Sequence, residues 1–163
     1  MTIPSNREHL DDGSGSGCRV RGLARQVING AGTTKQLTVG ESGALCIFGN
    51  AAGQIYTLPV IGANDVGMFF DFVVTVTATS NGYSVDTGSA ANFIGGSILE
   101  VDDGLGGTES FLGDIAASVS IDLDSAETGQ QAGGYFRALA FSTTAWTVGG
   151  YAIGVGTMET PFA

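Results

Sequence analysis

A chain of 163 residues can bury a core without disulfides, but 27 glycines and only 13% charged residues argue against a helix-rich enzyme. Glycine costs about 1 kcal/mol per site inside a helix, and the charged residues that cover helix surfaces are scarce. A net charge of −10 makes the surface repel phosphate backbones and anionic lipid, so neither nucleic acid nor a membrane is an expected partner. The 43% hydrophobic content, with many Thr and Ser, points to a packed, turn-rich β protein rather than a disordered tract.

The opening MTIPSNREHLDDGSGSG is polar, has no apolar run of the secretory kind, and ends in flexible-coil composition; a mobile tail and synthesis in a cytoplasm are expected. Residues 18–34 alternate more, with Val20 between Arg19 and Arg21, then Leu23, Arg25, Val27 and Ile28. This stretch is too short to fold alone, so its apolar residues must dock on the main domain, a neighbouring copy or a partner. The expected organisation is an extended N-terminal arm over 1–34 and a β domain over 35–163. Charge divides the same way. Arg7, Arg19, Arg21, Arg25 and Lys35 face only Glu8, Asp11 and Asp12 in the first 35 residues, a net +2. The other 128 residues set Arg137 against thirteen carboxylates, a net −12.

From residue 35 onward, short apolar or alternating runs end in Gly, Asn, Asp or Pro. The runs 36–39 and 44–48, joined by GESG, are expected to form a hairpin. A strand at 54–58 stops at Pro59. In the long run 68–79, Phe70, Phe72, Val74, Val76 and Ala78 share a core face, while Asp71, Thr75, Thr77 and Thr79 fall on a wet one. Asn81-Gly82 predicts a hairpin turn into 83–86. Strands follow at 97–101, 117–123, 135–141, 145–148 and 151–155, and 117–123 alternates in the manner of a half-buried antiparallel strand. No helical pattern separates them and no fixed period repeats. A two-sheet sandwich of jelly-roll or Greek-key type is therefore expected in preference to a solenoid.

Catalytic chemistry finds little support. His9 is the one histidine and lies in the tail, so no Ser or Cys of the domain has a histidine base. The glycine clusters match no phosphate-binding loop. Cys18 and Cys46 are expected to be free thiols. Glu100, Asp102 and Asp103, and separately Asp122, Asp124 and Glu127, offer oxygen to calcium, yet neither group matches an EF-hand loop. They read better as solvent-facing carboxylates at strand ends. No catalytic, cofactor or metal site is expected. Trp146, Tyr151, Tyr135 and Tyr56 form either a sugar-stacking platform or ordinary core and interface aromatics.

Beyond this, IYTLPVIGANDVGMFFDFVVTVTATSNGYSVDTG, FIGGSILEVDDG, SIDLDSAETG, AWTVGG and the terminal TMETPFA, spread over roughly residues 50–163, resemble small β-rich proteins encoded near the head genes of tailed bacteriophages. Many of these are capsid decoration, or cement, proteins. The resemblance implies a virion protein made in the host cytoplasm that binds the major capsid protein on the capsid exterior. It also implies a homotrimer at threefold positions that braces the shell, and no enzymatic activity. The basic, apolar-interleaved arm makes Arg19, Val20, Arg21, Leu23 and Arg25 the candidate capsid or subunit contacts. The alternative expectation is a head-fibre or spike domain that binds a host surface glycan through Trp146.

Overall fold

Among the described residues, backbone pairing begins at β1 (Val27–Asn29) and passes at once to a different sheet at β2 (Thr34–Gln36). The structure is a computed structural model and describes residues 25–30, 32–104 and 106–163. Arg19, Val20, Arg21 and Leu23 lie outside the described residues. Within the segment read as an arm, Val27–Asn29 and Thr34 are strand residues and Ile28 is buried.

The alternation between sheets continues through β3 (Leu45–Phe48), β4 (Gln54–Thr57), β5 (Phe69–Val74) and β6 (Tyr83–Asp86). Odd strands stack parallel in one sheet, with Ile28, Cys46 and Phe72 in register; even strands stack parallel in the other, with Lys35, Tyr56 and Val85 in register. The chain thus winds as a flattened coil. Its turns are unequal, 18 residues from Ile28 to Cys46 and 26 from Cys46 to Phe72, which is why no repeat period shows in the sequence.

The second half closes the two layers. β7 (Phe93–Asp102) and β8 (Thr108–Gly113) form a hairpin, β9 (Ser120–Leu123) pairs antiparallel with β6, and β10 (Tyr135–Ala140) with β11 (Ala145–Gly154) fill the space between β5 and β7. Within the described residues one sheet has seven strands in the order β1-β3-β5-β10-β11-β7-β8, and the other has four, β2-β4-β6-β9. Among the described residues there is no α-helix, only a 3₁₀ turn at Val39–Glu41.

The protein is therefore all-β with two packed sheets, as expected of a sandwich. The winding is not that of a Greek key, whose neighbouring strands run antiparallel, because five ladders here are parallel. Two expected hairpins are corrected for the same reason. The runs at 36–39 and 44–48 do not pair: β2 and β3 belong to different sheets, and the intervening turn is closed by Glu41, whose carboxylate accepts the Thr38 N–H at 2.8 Å. Asn81 and Gly82 do adopt left-handed φ of 56° and 55°, but their turn carries the chain from β5 across to β6. Alternation specifies which face of a strand is buried, not which strand lies beside it.

The core lies between the layers. Phe48 packs at 5.1 Å from Tyr56 and 4.8 Å from Tyr83, and Phe72 stacks on Phe136 at 5.1 Å, each pair contributing about 0.5–1.5 kcal/mol beyond burial. The buried Tyr56 hydroxyl accepts from Gln54 Nε2 at 2.9 Å and lies 2.9 Å from the Ile47 carbonyl, so its polar end is satisfied. Four strands cannot cover seven. Segment 124–131 covers the inner face of β7 and β11 at one end, bonding Gln131 N to Ile153 O at 3.0 Å. The C-terminus lies along β9, with Asp122 N bonded to Pro161 O at 2.7 Å.

Candidate functional site

Among the described residues, no layer covers the outer face of the seven-stranded sheet. Register places Val27, Leu45, Asp71, Arg137, Gly149, Ser97 and Leu112 in one row across all seven strands on that face. Neighbouring rows add Tyr135, Tyr151 and Leu99. Leu112 is 76% exposed, Val27 57%, Leu99 42% and Tyr151 41%. At one end Gly95, Gly96 and Gly113 floor an open groove of about 350 Å³ walled by Ile115, Phe141 and Thr147. Contiguous exposed apolar residues of this kind mark interaction surfaces.

One charged cluster interrupts the face. Asp71 was expected on the wet side of its strand; it does point outward, yet it is completely buried, because three side chains fold over it. Arg137 Nε donates to Asp71 Oδ1 at 2.7 Å and its Nη2 to Oδ2 at 2.9 Å, a bidentate pair, and the Tyr135 hydroxyl donates to Oδ1 at 2.8 Å. Arg25 Nη2 pairs with Oδ2, while its Nε donates to the Gly43 carbonyl at 3.0 Å. Both guanidinium groups lie over the Phe69 ring, Arg137 at 4.6 Å and Arg25 at 5.9 Å. Burial by itself raises the Asp71 carboxyl; the hydrogen bonds from Arg137, Tyr135 and Arg25 outweigh it and hold the group below its ordinary range. With two arginines and one carboxylate the cluster is a net positive spot on a strongly acidic chain. Arg25, the one arm candidate within the described residues, is thus held by the domain itself.

Of the two acidic groups read as solvent-facing, Asp122 and Asp124 do face outward, while Glu100 and Asp102 do not. On the outer face of the four-stranded sheet, Asp86, Asp122 and Asp124 line an open groove of about 630 Å³ with Ser84 and Ser120. Asp122 there accepts from Ser84 Oγ at 2.7 Å and Ser120 Oγ at 2.9 Å. Glu100 and Asp102 were expected to face solvent, but both are buried on the inner face of β7, which follows from their even spacing from Ile98. Asp102 accepts the Gly104 N–H at 2.8 Å. Neither carboxylate oxygen of Glu100 has a hydrogen-bond partner. Burial, then repulsion from Glu109, Glu127 and Glu159, pushes its carboxyl up to about 7. Among the described residues no three His, Cys, Asp or Glu side chains are grouped to hold a metal ion.

The aromatic platform is not assembled. Trp146 and Tyr56 are completely buried, Trp146 lying 6.2 Å from Phe70, so the residue on which glycan recognition rested is core. Tyr135 and Tyr151 do share the outer face. Sequence reasoning missed the Asp71 cluster, although one signal was present: Asp71 is the only carboxylate inside the longest apolar run, and Arg137 the only cation of the acidic domain past residue 35. Burial also pushes the Cys46 thiol up to about 12, and Cys46 carries no disulfide. Compared with family models, curated proteins and solved structures, the chain matches none.

Proposed function

We propose that this is a structural virion protein that decorates the outside of a tailed-phage capsid, binds the major capsid protein and stabilises the shell as a homotrimer. The observation that carries this reading is the uncovered face of the seven-stranded sheet: an apolar surface with aromatic residues and arginines at its centre, the composition of a protein–protein contact. The resemblance of its sequence blocks to phage head-associated proteins supports the setting. An acidic exterior suits a shell that packs nucleic acid within and must not adhere to it outside.

The test is co-sedimentation of purified protein with DNA-free capsids of the phage that encodes it. Saturable recovery with the capsids is expected, and Leu112→Asp, which places a charge on the exposed apolar row without touching the core, is expected to weaken it about tenfold or more. Recovery of all the protein in the supernatant would overturn the proposal.

A further inference from the structure

The seven-stranded sheet, among the described residues, ends in an open strand. Among the described residues the backbone of β8 bonds only to β7, and Thr108, Glu109, Ser110 and Leu112 are exposed. An unpaired edge of six residues is a template for another strand. Its chemistry is specific. On one side of the edge, Glu109 lies with Glu127 and Glu159 around Glu100, close enough for all three to repel that buried carboxylate. On the other side Leu112 projects into solvent.

No described cation answers these glutamates: Arg25 and Arg137 are paired with Asp71, and Lys35 with Glu41. The remaining basic residues of the chain are Arg7, Arg19 and Arg21. Residues 18–24, CRVRGLA, have the alternation of a matching strand: extended, they present Arg19 and Arg21 to one side and Val20 to the other. We infer that residues 18–24 of one copy add as a strand to the β8 edge of a neighbouring copy, Arg19 and Arg21 against the glutamates and Val20 beside Leu112.

The exchange must run between copies. Arg25 and Gln26 are held at the β1–β3 end, where Gln26 O accepts the Leu45 N–H at 2.8 Å, and β1 and β8 are the two opposite edges of the sheet. Six interstrand spacings separate them, roughly 29 Å. Three residues from Gly22 to Arg25 reach about 11 Å at most, so the segment cannot lie along β8 of its own chain. A contact in which the β1 end of each copy feeds the β8 edge of the next is heterologous and closes only as a ring. This takes up the self-association part of the function proposed above and names the contact that makes it.

The test uses full-length protein carrying Ser110→Cys, without capsids, so that its failure is distinct from failure to bind a shell. Cys18 supplies the second thiol and Cys46 is buried. Mild oxidation is expected to give disulfide-linked dimers and trimers and no larger ladder, and adding Cys18→Ser is expected to abolish them. In the same background, Arg19→Glu with Arg21→Glu is expected to lower the cross-linked fraction about tenfold, the worth of one or two exposed ion pairs, and Glu109→Arg to restore part of it. Cross-links only within one chain, cross-links that persist without Cys18, or none at all while Cys18 still reacts with a maleimide, would each overturn the exchange.

Discussion

At Asp71 a carboxylate sits without solvent contact in the middle of an otherwise apolar face, held by two arginines and a tyrosine. Its folded-state affinity for a proton lies below the unfolded one, so its contribution is complete above the unfolded value and is lost as pH falls through the folded value. Asp71→Asn is expected to lower stability at pH 7 by about 1–3 kcal/mol. Half-exposed arginines keep the figure in that range, since solvent screens their side of the pair. Urea unfolding at pH 7 and at pH 3 checks this: the gap between variant and wild type is expected to narrow in acid. Glu100 has the opposite sign. Its carboxyl is raised from 4.5 to about 7, so the stabilising protonated form is fully present below the unfolded value and is lost as pH rises between the two. Glu100→Gln is expected to remove that decline, leaving the variant more stable than wild type at pH 8 and not at pH 4. A melting series across this range with no difference in slope between the two proteins would refute the assignment.

Turns, at the scale of elements, decide what the strands become. Asn81-Gly82 was legible as a turn requiring left-handed backbone, and it has that backbone. Its destination was not legible, because the same dihedrals serve a hairpin and a corner between sheets. The corner is held by neighbours distant in sequence: Gln54 N bonds to Gly82 O at 3.1 Å, and Asn81 Nδ2 to Ala52 O at 3.1 Å. A Cβ on Gly82 would fall 2.2 Å from Asp124 Cα, so Gly82→Ala is expected to cost about 1–3 kcal/mol through backbone displacement as well as the left-handed φ, measured as a lowered urea midpoint. Burial faces were readable by the same logic within the strands, though Val76, placed on the core face by its spacing, lies beyond the end of β5 and is exposed. Phe70, Phe72 and Val74 point inward as their spacing requires, and Ile121 and Leu123 do so in β9. What alternation cannot convey is that an outward carboxylate is covered by side chains from distant parts of the chain, as Asp71 is by Arg137 and Arg25, or that segment 124–131 lies over the inward row that Ile98 and Glu100 share.

The described molecule is two layers of unequal width: four strands cover part of one face of the seven-stranded sheet, and no described residue forms a layer over the other. Its charge is uneven as well. The described cations are all engaged near the β1–β5 side or beside the 3₁₀ turn, while the charges that act on Glu100 at the β8 end, Glu109, Glu127 and Glu159, are all acidic. An uncovered face and an open edge among the described residues leave surface for other molecules, and the proposed capsid role assigns them an occupant. The number of sheets and the all-β composition were readable from the glycine, threonine and alternation patterns. The parallel coil was not, since its turns of 18 and 26 residues leave no period. The measurement that bears most directly on the central claim is electron cryomicroscopy of capsids of the encoding phage incubated with the purified protein. Three-lobed density on the outer surface at threefold positions is expected, absent from shells prepared without it; bare shells at saturating protein would contradict the account.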